Sequence, residues 1–177
     1  MTTTSDPKAE ALRFPIGRFQ LPTTISAADR ARYIEEIAAA PAAMRAAVKG
    51  MSETKLNTPY RPGGWTIRQV VHHVPDSHMN AYIRMKLALT EDEPRITTYM
   101  EDLWAELPDS RVVPVETSLQ LLESVQERWV ALMRSMTDAQ WQRAYMHPEQ
   151  GRFPLDRQAA LYAWHGKHHV AHITRAT

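Results

Sequence analysis

Apolar residues recur at helical spacing along four long stretches of the chain. The first runs from about Ala27 to Val48 through Tyr33, Ile34, Ile37, Ala38, Met44 and Val48, with Ser26 placed as its N-cap. Pro41 interrupts it, so it reads as a kinked helix or as two helices. The second starts at Thr66, where Gln69 three residues on completes a capping box, and continues to about Leu89. Inside it, Pro75 removes the bond to the Val71 carbonyl, which predicts a bend two residues from His73. Pro114 opens the third stretch, from about Val115 to Met136 through Leu119, Leu122, Val125, Trp129, Leu132 and Met133. Thr137-Asp138 caps a short helical piece carrying Trp141, residues 146–151 turn the chain, and Pro154 introduces a last helix from about Leu155 to Thr174.

Two segments lack this pattern. Residues 1 to about 25, with Pro7, Pro15 and Pro22, read as an extended arm packed at Phe14-Pro15-Ile16-Gly17 and Phe19. Residues 91–114, with Pro94, Pro108 and Pro114, exceed a tight helical turn and read as a crossover or a lid. The expectation is an all-α chain, a four-helix bundle forming a single domain over 1–177, with a long connection between helices 2 and 3.

Composition narrows the function more than the fold. At 44% hydrophobic and 23% charged residues, this is the composition of a soluble globular protein. The net charge of +1 comes without any Lys/Arg block, so no nucleic acid and no anionic membrane is indicated as a partner. The chain has no cysteine, which excludes disulfides, thiolate metal ligands and a cysteine nucleophile, and is compatible with a cytoplasmic location. Met1 to Lys8 lack the apolar stretch of a signal peptide, and no segment approaches the roughly 18 apolar residues of a membrane span. Nucleotide-binding, serine-hydrolase and zincin motifs are absent.

The histidines carry the chemistry. Four of the eight fall in His165-Gly166-Lys167-His168-His169-Val170-Ala171-His172, and His72, His73 and His78 lie on the second helix; His147 stands apart. At roughly 100° per residue, His165 and His169 share a face about 40° wide, bordered by Leu161, Tyr162 and Ile173. His168 and His172 form a competing pair about 60° round from the first, and spacing alone does not choose between them. His73 shares its stripe with Gln69, Ser77, Asn80 and Arg84, whereas His72 lies beside Met79 and Ile83. Imidazoles on two facing helices suit a metal held in the bundle core. The bland alternative is a set of hydrogen-bonded structural histidines, with Trp65, Trp129 and Trp164 as packing residues and Glu91-Asp92-Glu93 as a solvated loop.

Two motifs resemble the DinB/YfiT-like superfamily, and within it the YfiT branch: Tyr60-Arg61-Pro62-Gly63-Gly64-Trp65-Thr66-Ile67-Arg68-Gln69-Val70-Val71-His72-His73, continued by Asp76-Ser77-His78-Met79-Asn80, and Leu161-Tyr162-Ala163-Trp164-His165-Gly166-Lys167-His168-His169. The resemblance implies a four-helix bundle, a homodimer, and one divalent ion per chain, zinc or nickel first, held by His73, His165 and His169. It also implies transfer of a low-molecular-weight thiol, bacillithiol-like, to an electrophilic small molecule. The alternatives are a hydrolase using metal-bound hydroxide and a non-catalytic helical binding or stress protein. Three imidazoles leave coordination positions open, which suits a catalytic rather than a structural ion.

Overall fold

The computed structural model describes residues 7–176. Four long helices form the bundle: α2 (Ala27–Val48), α4 (Ile67–Thr90), α7 (Val115–Arg134) and α9 (Leu155–Thr174). Short helices fill the connections: α1 (Pro7–Arg13), α3 (Glu53–Leu56), α5 (Glu101–Trp104), α6 (Asp109–Val112) and α8 (Asp138–Trp141). A hairpin of β1 (Ala144–His147) and β2 (Gly151–Pro154) precedes α9. Around the bundle, α2 packs on α7 and α9, and α4 packs on the same two helices.

The caps form as the sequence predicts. Ser26, Thr66 and Thr137 each accept from a backbone N–H three residues on, and Asp29, Gln69 and Gln140 close the three capping boxes. Both internal prolines are absorbed: α2 is one helix through Pro41, and α4 runs unbroken through Pro75, which is buried. Packing on two neighbouring helices outweighs the one backbone bond that each proline removes.

The N-terminal arm corrects the extended reading. Residues 7–13 are helical, because Pro7 can occupy a first-turn position and Lys8 to Arg13 are mostly strong helix formers. The arm's first six residues lie outside the described ones. A second correction is the hairpin, which an all-α reading omits. Its strands are four residues each, too short for a period-2 pattern to register. Tyr145 pairs across from Phe153 with their rings stacked at 5.6 Å, and Gly151 takes the positive φ that the turn requires.

The core is divided. One apolar cluster gathers Ile37, Met85, Trp129, Leu155 and Ala159; the other gathers Met44, Ile67, Val71, Leu122 and Ile173. On each long helix a few small or polar residues separate the two: Ala40 on α2, Ser77 and His78 on α4, Gln126 on α7, and His165 to His169 on α9. The histidines thus occupy a polar layer across the middle of the bundle. Gly166 lets α9 approach α2 there, since a Cβ at this position would stand 3.1 Å from the Cβ of Ala40.

Residues 91–114 are a crossover laid along α4. Arg84 donates to the Thr97 carbonyl at 3.0 Å, and one turn from the other end Gln69 donates to the Ala105 carbonyl at 2.8 Å. Among the described residues, no helix is long and apolar enough to cross a membrane.

Candidate metal centre

Three of the eight histidines converge. His73 on α4 and His165 and His169 on α9 each offer a ring nitrogen, and these atoms lie within 4.8 Å of one another. His73 is 9% exposed and His169 8%, while His165 is partly buried. The i,i+4 pair lies along α9, and His73 reaches it from α4; its ring is 4.9 Å from that of His169 and 5.4 Å from that of His165. The motif tryptophan, Trp65, packs against His73 at 4.7 Å.

This donor set fits a divalent ion. Loss of water on burial pushes His73 down to about 4, and neighbouring His172 adds to the shift. Burial first, and the other histidines second, hold His165 and His169 well below the ordinary imidazole range. All three rings are therefore neutral at pH 7, as metal ligation requires.

The remaining histidines divide into supporting and structural groups. His78 is fully buried; its Nε2 lies 3.1 Å from His165 Nδ1, and its Nδ1 lies 2.6 Å from the Gln126 amide on α7. His172 Nδ1 lies 3.4 Å from His169 Nδ1. His72 faces away from the cluster: its Nε2 donates to the Val113 carbonyl at 3.1 Å, and its Nδ1 meets the Ser118 hydroxyl at 2.7 Å. That contact pins the end of the crossover to α4. His147 accepts the backbone N–H groups of Glu149 and Gln150 in the hairpin turn. His168 stacks on Trp164 at 4.2 Å. Geometry thus separates the two pairs on α9 that spacing leaves equivalent.

Hydroxyls and one carboxyl adjoin the layer. Ser77, one turn after His73, donates to the Tyr162 hydroxyl at 3.4 Å, and Tyr99 from the crossover also bonds Ser77. Burial raises the pKa of both phenols, so they stay protonated. Asp76 is pushed up to about 6, by burial first and by Asp109 second. Sequence reading assigns no role to Gln126 or Tyr99; it meets His172 only as half of the competing pair on α9, and Asp76 and His78 only within the motif that follows His73. Ser77 carried a signal of its own, as part of the polar stripe with His73.

The sequence profile of the DinB superfamily matches residues 36–173, which includes all three converging histidines. The chain belongs to the DinB superfamily. Within it, this DinB protein is 51% identical over 163 residues to a "putative metal-dependent hydrolase" of Bacillus mycoides (strain KBAB4), covering 92% of this chain and 94% of that one. A Bacillus cereus (strain 03BB102) protein of the same description matches to the same extent. Among solved structures, YfiT from Bacillus subtilis superposes with a TM-score of 0.91 at 45% identity, covering 94% of this chain and 95% of that one. That protein is described as "a probable metal-dependent hydrolase with an unusual four-helix bundle topology". The DinB fold, and the YfiT form of it, are thus the fold of this chain.

Proposed function

We propose that this DinB protein is a metal-dependent enzyme in which His73, His165 and His169 hold one divalent ion, zinc or nickel, and the nucleophile comes from solution. The observation that carries this reading is a site of three neutral imidazoles with, among the described residues, no cysteine and no unengaged hydroxyl of the chain's own identified beside it. The sequence has no cysteine, and the neighbouring Ser77 and Tyr162 hydroxyls are engaged with each other. A divalent ion on three imidazoles supplies acidity, making a bound thiol or water nucleophilic near neutral pH.

The reading we favour for the nucleophile is a low-molecular-weight thiol of the bacillithiol kind, passed to an electrophilic small molecule. The sulfur forms a bond to the electrophilic carbon while a halide or an epoxide oxygen leaves with the electrons of the broken bond. The thiol proton goes to solvent or to that oxygen. Tyr99 and Tyr162, protonated and close to the histidine layer, are suited to hydrogen-bond the departing group. Steady-state assays with a panel of thiols and a reactive halide test this: thiol-dependent loss of the halide, abolished in His73→Ala, is the expected result. A metal-loaded protein that leaves every pair unreacted overturns it.

A second reading, hydrolysis, is favoured by Asp76, a carboxyl near pKa 6 one turn from His73, which is suited to take a proton from an attacking water. The descriptions of the Bacillus relatives point the same way. Ester or amide cleavage without thiol, lost in Asp76→Asn, would select it.

A further inference from the structure

The first-turn helix α1 reaches the metal centre through a single imidazole. Its last residue, Arg13, has a backbone carbonyl with no partner inside so short a helix, and His172 Nε2 lies 3.0 Å from it. A carbonyl oxygen only accepts, so this nitrogen carries the proton. The other nitrogen of His172, Nδ1, faces His169 Nδ1 at 3.4 Å. In a neutral ring whose Nε2 is protonated, Nδ1 is a bare acceptor. The proton between the two rings then belongs to His169 Nδ1, and His169 Nε2 is left with its lone pair free.

We propose that His172 is a positioning residue for the metal centre: anchored on the Arg13 carbonyl, it accepts the Nδ1–H of His169 and so fixes the His169 tautomer whose Nε2 can bind an ion. The inference rests on His73, His165 and His169 being the ligands.

Four further contacts hold this relay in register. Tyr60 stacks on His172 at 4.1 Å, and His168 meets it edge-on at 4.2 Å, so turning the ring would disturb both contacts. Phe14, next to Arg13, stacks on His168 at 5.9 Å. Arg175, three residues after His172, donates to the Pro15 carbonyl. His172 is 4% exposed, so the ring is held inside these packed contacts. The N-terminal segment thereby belongs to the ligand-orienting shell of the centre, a kind of shell whose loss typically weakens metal affinity about 10–100-fold.

Two measurements on the full chain test this. Long-range proton–nitrogen correlation spectra of the 15N-labelled apoprotein assign imidazole tautomers, and His169 should carry its proton on Nδ1 and His172 on Nε2. A His169 ring protonated on Nε2 overturns the relay, whatever the metal does. Competition of Zn2+ against a chromogenic chelator gives the second readout. His172→Phe, which keeps the stack but removes both nitrogens, should bind about 10–100-fold more weakly. His172→Gln, whose side-chain oxygen can accept from His169, should recover most of that loss. Affinity in His172→Phe within twofold of the parent overturns the proposal. His73→Ala separates the two levels: if it binds Zn2+ as the parent does, the ligand assignment itself fails, whereas the apoprotein tautomers are read without any metal. Should His172→Phe not fold, the spectra of the parent chain decide.

Discussion

The two proposed ligands on α9 are backed by different parts of the molecule. His165 leans on His78, which is sealed in the core beside Trp129 and Tyr162 and ends on the Gln126 amide of α7. His169 leans on His172, which sits under a helix of seven residues and ends on a backbone carbonyl. The wiring is alike: ligand imidazole, second imidazole, amide group. The endings are not. A carbonyl is an acceptor in every state, whereas a glutamine end can offer its nitrogen or its oxygen to His78. The branch at the edge of the molecule therefore has its proton order written by the main chain, while the branch in the core is mechanically firm and has its proton order set by one rotatable side chain. Rigidity and proton placement are separate properties, supplied here by separate parts of the fold.

Acid should give the largest effect, and should fall on both branches. Burial holds His78 and His168 at about 3 and His73 at about 4, against roughly 6.5 in an unfolded chain. Depressed imidazoles contribute stability that is complete above pH 6.5 and drains away as pH falls from 6.5 towards 4 and then 3, because the unfolded chain takes up protons that the native one refuses. Each costs about 1.4 kcal/mol per pH unit within its window. Asp76, raised to about 6, works in the opposite direction between about 3.8 and 6, one group against several. Urea unfolding of the apoprotein at pH 7, 6 and 5 should show a steep loss, and a flat profile would contradict the burial described above.

Substitution in the core branch comes next. His78→Ala should cost about 3 kcal/mol of stability, because it opens a cavity between Trp129 and Tyr162 and strands the Gln126 amide. Gln126→Leu keeps the volume and should cost less, about 1–3 kcal/mol, for an unpaired His78 nitrogen. Both are read by urea unfolding of the apoprotein. Both should also weaken Zn2+, whereas His172→Phe should weaken Zn2+ with little change in unfolding. Equal unfolding costs in the two branches would erase the distinction between them.

The smallest effect is expected at His72, the neighbour of a ligand that is not one. Ser118→Ala removes its Nδ1 partner and should cost about 1 kcal/mol in unfolding, with Zn2+ affinity unchanged.

The four long helices were legible because their signals are local: caps at Ser26 and Thr66, proline at the openings of α7 and α9, and apolar positions at a period near 3.6. The ligands were legible only in part. The pair His165/His169 and the pair His168/His172 look equivalent from spacing, and family resemblance favoured the first. The physical separator is what lies opposite each pair: His73 of α4 across from one, Phe14 and the end of α1 across from the other. Partners some ninety or more residues away in the chain leave no trace in local periodicity. The same holds for Gln126, which reads as one more polar residue on α7 until the bundle turns it inward. The arm was misread for a simpler reason, since its three prolines outweighed the good helix formers between the first two.

Gly166 has a consequence for how the centre could evolve. It lies between the two ligands of α9, at the point where that helix touches Ala40. A methyl group there would stand 3.1 Å from the Cβ of Ala40, tighter than ordinary packing, so the α2–α9 contact would have to open by a few tenths of an ångström. The closeness of α9 to α2 at the level of the clustered imidazoles thus depends on a hydrogen atom, at a residue that contributes no ring of its own.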